Sequence, residues 1–464
     1  MKTREEIDPL GKKEVPESAY YGIQTLRATE NFPVSGIKAP AVFIKAYVMV
    51  KKAAALANAE VGWLDEERKQ AIVQACDEVL AGKLLDQFVV DVYQAGAGTS
   101  FNMNVNEVLA NRALEILGKP RGNYKSVSPN NHVNMGQSTN DTFPTATHVA
   151  VLTALQPLLA ELDRLADAFD ELGRKHRDTV KSGRTHLQDA VPVTIGQEFG
   201  AYASALRNAA SQLRERQKNL YALALAGTAA GTGANAHPRY KQIAILELRK
   251  MTGFPLQPAK NAFAALQSYR PVQTVSSGLK ELALELIRVA NDLRLLSSGP
   301  TTGLAEIALP PVQPGSSIMP GKVNPVMAEC LDMVAFQVVG NDLTVSFAVQ
   351  AGQLDLNVMM PVIMHNVLFS IQILTSYLPV FRTKCVKGIV VNVERCSQYL
   401  EKNPALATFL SPHIGYLEAA KIAKQALEEG RSVKDVALEK GVLSREELER
   451  ILDPKRLLKG KNGN

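Results

Sequence analysis

Cysteine is scarce and scattered: Cys76, Cys330, Cys385 and Cys396 are the only four in 464 residues. No two of them form a CxxC pair. That spacing argues against a zinc site and a disulfide framework, and fits a reducing cytoplasm. No secretory leader is expected either, because MKTREEIDPL has no apolar run. Neither HExxH nor GxSxG occurs, so zincin and α/β-hydrolase readings have no support. Period-two strand signals are few, and no repeat of about 20–50 residues is visible. Charge of one sign is only slightly in excess: 52 Lys and Arg against 46 Asp and Glu leave +6, which is mildly basic. Spread along the chain, that is too dilute for a nucleic-acid footprint. Basic residues concentrate only at Lys455, Arg456, Lys459 and Lys461, which read as a solvated terminus.

What is present is ordinary for a soluble globular protein, with 46% hydrophobic and 21% charged residues. At about 150 residues per domain, the length suggests roughly three domains. One segment, Leu356 to Phe381, has no charge and is long enough to span a bilayer. Asn357, Pro361, His365, Asn366, Gln372 and Pro379 interrupt it. A helix apolar nearly all round but dotted with polar groups belongs inside a large protein. No membrane partner is therefore expected.

The coarse pattern is helical. Residues 44–61 form one helix that stops at Gly62, and Asp65 caps a second that ends at Gly82. Longer periodic stretches lie near 142–178, 192–226 and 271–298. The last opens at Pro271 and closes at Gly299-Pro300. Beyond about 395 the helices become short and charged, and Ser444-Arg445-Glu446-Glu447 is a capping box with Leu443 and Leu448 as its staple. These features divide the chain into a helical domain over 1–139, a long-helix domain over 140–394 and a small helical end over 395–464. Such long, nearly uncharged helices suggest a bundle whose core is completed by other subunits.

Two glycine-rich stretches imitate cofactor loops. Gly231-Thr232-Gly233-Ala234-Asn235-Ala236 fits GxGxxA, but no βαβ pattern or ribose-binding acid accompanies it. Gly315 to Val323 resembles a P-loop with the wrong spacing, and Val323 replaces the magnesium-binding hydroxyl. No cofactor and no metal are expected. Four stretches, the 315 loop among them, crowd small polar residues into apolar helical sequence. They are Gly96–Asn104, Asn134–Asp141, Gly183–Asp189 and Gly315–Asn324. Any one alone reads as a cap or a loop. Together they suggest a site for a small polar anion, with the single donors that suit carboxylates.

The loop GSSIMPGKVNP at 315–325 resembles the signature loop of the fumarase/aspartase superfamily. The other three stretches match that superfamily's remaining active-site regions in order, and the similarity runs from about Leu10 to about Pro454. Within the superfamily the chain is more similar to the aspartase branch. Tyr20-Tyr21-Gly22-Ile23-Gln24-Thr25-Leu26-Arg27-Ala28 is like that branch's opening. Ser100, Ser128 and Thr139 stand where fumarases usually show Gln, His and Ser, and Val326 where they commonly place Thr.

The resemblance implies an all-α, three-domain lyase with a long central helical bundle shared in a homotetramer, each active site being built from three subunits. It implies ammonia elimination from L-aspartate to give fumarate, so the partner is a small-molecule substrate. Fumarate hydration and a non-catalytic structural role remain the alternatives. By resemblance Ser316 is the base that takes the Cβ proton, giving an aci-carboxylate dianion. Lys322 and Asn324 bind the α-carboxylate. Thr99, Ser138, Thr139, Thr185 and His186 hold the other carboxylate and line the amine pocket, with Asn140 near the amine. Glu329 steadies His186. Backbone amides around Ser316 and the charge of Lys322 would stabilise the serine oxyanion. Pro314, Pro320 and the flanking glycines suit a mobile lid.

Overall fold

The computed structural model describes residues 2–458. Helix α1 spans Ile23–Asn31, α2 Ala41–Glu60, α3 Glu66–Leu80 and α4 Thr99–Ile116. The long α5 (Thr139–Lys175) is followed by α6 (Ile195–Arg216), α7 (Tyr240–Thr252), α8 (Ala262–Gln267) and α9 (Arg270–Leu296). Then come α10 (Val326–Gln350), α11 (Met360–Lys384) and α12 (Val393–Lys402). The chain finishes on α13 (Ser411–Ile414), α14 (Tyr416–Glu429), α15 (Val433–Glu439), α16 (Arg445–Ile451) and α17 (Pro454–Leu457). The all-α expectation holds, with four small strand pairs added.

Local capping chemistry sets the boundaries. The Asp65 carboxylate accepts the Arg68 N–H and opens α3, and the Ser444–Glu447 capping box opens α16. α5 begins three residues earlier than its apolar period suggests. The Ser138 carbonyl accepts the Thr142 N–H, and the Asp141 carboxylate accepts the Ser138 N–H. The stretch expected as one helix over 192–226 is shorter. Thr194 and Gln197 exchange two hydrogen bonds of 3.0 Å, a capping box that starts α6 at Ile195. Arg216 ends that helix, and a 3₁₀ turn follows over Gln217–Tyr221.

The strand pairs escaped the sequence reading. β1 (Thr3–Asp8) and β2 (Gly11–Pro16) form an antiparallel hairpin, as do β3 (Val180–Thr185) and β4 (Gln188–Thr194). β5 (Ala222–Leu223) pairs with β6 (Gln257–Pro258) in parallel, and β7 (Ile307–Ala308) with β8 (Val390–Val391) antiparallel. β3 is mostly Lys, Ser, Gly, Arg and Thr, so hydrophobic alternation is absent although the pairing is real.

The described residues fall into two compact units. One runs to Leu159 and adds Ser211–Ala283 and Phe336–Thr375. The other comprises Ala160–Ala210, Leu284–Ala335 and the chain from Ser376. The first is organised around Phe43, Tyr47, Phe101 and Phe143, with ring centroids 5.0–6.0 Å apart. Each such buried aromatic contributes ~2–3 kcal/mol of hydrophobic stabilisation. In the second, Phe169 packs on Phe199 and Tyr202, and a separate cluster of Leu406, Leu410, Ile422, Val436 and Leu448 holds the last helices together. α5 and the segment Met360–Gly388 are apolar and long enough to cross a membrane, yet 72% and 56% of their apolar windows are buried inside the chain. In the basic tail, the Lys455 side chain, Lys459 and Lys461 lie outside the described residues.

Candidate active site

The first unit supplies Thr99, Ser138, Thr139 and Asn140. Thr99 is the first residue of α4, and is reached through Ala97 and Gly98, both left-handed at φ 62° and 82°. The Ala97 N–H donates to the Val358 carbonyl at 2.7 Å, which anchors this turn. A Cβ on Gly98 would lie 2.2 Å from the Phe143 ring, so the turn is pressed onto the aromatic core. Thr99 is exposed at the positive end of a long helix, a favourable place for a carboxylate.

Ser138, Thr139 and Asn140 open α5. The Ser138 hydroxyl accepts the Asn140 N–H at 3.2 Å, and the Asn140 amide donates to the Ala229 carbonyl at 2.7 Å. Two residues that the sequence reading left without a role hold this segment. Asp141 is fully buried and accepts N–H groups from Ser138, Ala226 and Thr228 at 2.9–3.0 Å. It ties the loop to a second backbone turn strained at Ala226 and Thr228, φ 68° and 52°. Burial pushes its carboxyl up to about 6, against those N–H bonds and the Lys51 charge.

Lys51 is also fully buried. Its ammonium gives its three protons to Asn102 Oδ1, Asn134 Oδ1 and Gln137 Oε1 at 2.7, 2.9 and 2.9 Å. Burial drives this group down to about 7, with Asp141 opposing. A signal for it was present. Tyr47, Lys51, Ala54 and Asn58 make one helical stripe of α2, whereas the neighbouring Lys52 turns outward to Asp77. Glu107 plays a similar part, accepting the N–H groups of Gly22, Gln24 and Thr25 at 2.8–3.1 Å. It thereby fixes the Tyr20–Ala28 stretch, and burial raises its carboxyl to about 7.

The second unit supplies Thr185, His186, Ser316, Lys322, Asn324 and Glu329. Thr185 and His186 are at the exposed tip of the β3–β4 hairpin. Arg184 donates to Glu306 Oε1 at 2.8 Å, and Lys181 reaches Glu306 Oε2 at 2.7 Å and Glu198 at 3.0 Å. Glu306 has no exposed surface, so these two cations are what make its burial tolerable.

Ser316 sits in a loop drawn closed by the Gly315 N–H on the Lys322 carbonyl at 2.8 Å. Its hydroxyl oxygen accepts two backbone N–H groups, Ile318 at 3.2 Å and Met319 at 3.0 Å. This is the local serine turn in which a hydroxyl accepts the N–H groups two and three residues on, and it places two backbone donors at that oxygen. The Asn324 amide donates to the Gly315 carbonyl at 2.7 Å, so part of its bonding is used within the loop. Lys322 is exposed and, among the described residues, forms no ion pair. Glu329 lies in the first turn of α10, and no hydrogen bond or ion pair joins it to His186 among the described residues. Among the described residues no three His, Cys, Asp or Glu side chains converge on a metal position.

Comparison with known proteins gives a consistent picture. Residues 11–340 match the family described as Lyase, and residues 406–459 the family described as Fumarase C C-terminus. An aspartate ammonia-lyase from a Bacillus species is 51% identical over 97% of this chain and 96% of its own length. A class II fumarate hydratase from Thermus aquaticus is 49% identical over 99% of both chains. The crystal structure of a fumarate lyase:delta crystallin from Brucella melitensis bound to cobalt superposes with a TM-score of 0.96. It is 49% identical and covers 99% of this chain and 100% of that one.

Proposed function

Because this chain belongs to the fumarase/aspartase family of lyases, we propose that it eliminates ammonia from L-aspartate reversibly to give fumarate. The observation that carries the chemistry is the Ser316 hydroxyl under the Ile318 and Met319 N–H groups. A serine serves as a base only where its oxyanion is stabilised, and the two backbone donors at that oxygen support the reading. Ser316 takes the Cβ proton, and charge spreads onto the adjacent carboxylate as an aci-carboxylate dianion. Thr99, Ser138, Thr139, Thr185 and His186 hold that carboxylate and line the amine pocket, with Asn140 near the amine. Lys322 and Asn324 bind the α-carboxylate. The leaving group departs as an amine already protonated at neutral pH, so it needs little acid assistance.

The choice of aspartate over malate rests on Ser100, Ser128 and Thr139, the aspartase-type residues. Ser128 has a local structural task, since its hydroxyl accepts the Asn131 N–H while its own N–H donates to His132 Nδ1. The second reading, fumarate hydration, draws on the comparable identity to the Thermus enzyme. Incubation with L-aspartate and, separately, L-malate, followed by fumarate absorbance, tests both. We expect malate to be at least about a hundredfold poorer in kcat/KM, ~2.7 kcal/mol of discrimination. Faster turnover of malate overturns the substrate assignment and leaves the family in place.

The same proposal includes the homotetramer, the shared site and the division at 1–139, 140–394 and 395–464. Support for assembly comes from α10. Met333, Phe336, Leu343 and Phe347 are 57–66% exposed, spaced with Gly340 at alternating three and four residues. Such a seam is the pattern of helices packed against partner helices.

A further inference from the structure

Asn403 stands between α12 and the 3₁₀ turn Pro404–Phe409 and is 1% exposed. Its amide nitrogen donates to both strands of the β3–β4 hairpin, to Ser182 Oγ at 3.0 Å and to the Ala190 carbonyl at 2.7 Å. Its Oδ1 accepts the Ala405 N–H at 2.8 Å, which locks the side chain's orientation. These contacts fall where the hairpin needs them. Ser182 faces Pro192 and Gly183 faces Ala190, so the register slips there and leaves Val191 without a partner. A bulge interrupts the ladder, and Pro192 has no N–H to give. Asn403 supplies the cross-link that the two strands lack.

Beyond the bulge the chain reverses through His186 and Leu187, both left-handed at φ 55° and 58°. Hairpin turns of this kind favour Asn and Gly, and a residue bearing a Cβ is strained there. The strained tip is exposed, and among the described residues nothing hydrogen-bonds the His186 side chain. Its placement therefore comes through the backbone below it. Arg184 contributes, held by Glu306 and by the Tyr399 ring 5.4 Å from its guanidinium. We propose that Asn403 is a positioning residue, which fixes the bulge and through it the placement of Thr185 and His186 on the substrate. This rests on the reading that assigns those two residues to substrate contact.

Asn403→Asp is the decisive variant. In its carboxylate form it keeps the shape and the oxygen that accepts the Ala405 N–H and donates to neither strand, so both measurements are made at about pH 8, where that form is favoured. Ser182→Ala, which removes one acceptor, is the milder companion should the first variant fold poorly. Two measurements are made. Amide hydrogen exchange over residues 180–194 needs no substrate and should quicken in Asn403→Asp while exchange in α14 stays unchanged. Steady-state turnover of L-aspartate should show kcat lower by about ten- to a hundredfold. That loss should vanish when Asn403→Asp is combined with His186→Ala. Ser182→Ala should shift both readouts the same way by less. Unchanged exchange overturns the clamp, and quickened exchange with wild-type kcat overturns its positioning role. A loss that simply adds to that of His186→Ala also overturns it. Wild-type protein that gives no fumarate from aspartate would defeat the functional reading instead, and the exchange experiment still judges the clamp.

Discussion

Ser316→Ala separates chemistry from folding cleanly. The substitution deletes one oxygen, the acceptor of the Ile318 and Met319 N–H groups. In a buried site two orphaned donors would cost about 1–3 kcal/mol each. Here Ile318 is 84% exposed and Met319 49%, so water replaces the lost acceptor. The loop is closed by other contacts, the Gly315 N–H on the Lys322 carbonyl and the Asn324 amide on the Gly315 carbonyl. Folding stability should therefore move by less than about 1 kcal/mol. Turnover should not be spared. Loss of a general base costs about 10²–10⁴ in rate, or ~2.7–5.4 kcal/mol of barrier. The assay is fumarate formation from saturating L-aspartate, with a urea melt and circular dichroism on the same sample. The expected result is a native melt with kcat down at least about a hundredfold. A variant that kept more than about a tenth of wild-type kcat would show that another group is the base, His186 being next to test. A collapsed melt would show instead that the hydroxyl is structural.

Three further outcomes are expected. Gly98→Ala forces a Cβ into the Phe143 ring at left-handed φ, so the urea midpoint should fall by about 2–4 kcal/mol equivalent, with KM raised as Thr99 shifts; an unchanged midpoint refutes the packing. His148 is buried with Nδ1–H on the Leu220 carbonyl, and burial pushes its imidazole down to about 4. Between that value and about 6.5 only the unfolded chain takes a proton, so stability should fall by ~3 kcal/mol as pH drops through that window. His148→Gln should flatten that limb in urea melts at about pH 7 and about pH 5, and equal slopes for both proteins refute it. Finally, light scattering should give a tetramer, and Phe336→Lys with Phe347→Lys should dissociate it; an active wild-type particle of 50.3 kDa refutes shared sites.

Much of the fold was legible because its determinants are local. Asp65, Ser444 and the run of apolar residues along 271–298 act within one or two turns of their own helix, so caps and periods read directly from the chain. The loops of the candidate site were legible as stretches for the same reason. Their small polar residues interrupt apolar helices, and the 315–325 loop forms its own hydrogen bonds from Gly315 to Asn324. The hairpin at 180–194 was not legible. Its strands have no alternating apolar face, and they are held by Glu306 and Asn403, far along the chain.

The sequence by itself determined most helices, their caps and the family, and it marked the stretches that carry the proposed substrate contacts, because each reads from neighbours within a few positions. Tertiary structure alone decided which polar groups are buried to hold those residues. Lys51 and Lys52 are adjacent and chemically identical, yet one lies beneath the 134–141 loop and the other pairs with Asp77 near the surface. Asp141 follows an ordinary capping position, and only folding brings it the Ala226 and Thr228 N–H groups. A buried charge is set by what surrounds it in three dimensions, since its desolvation must be met by donors and acceptors from distant segments.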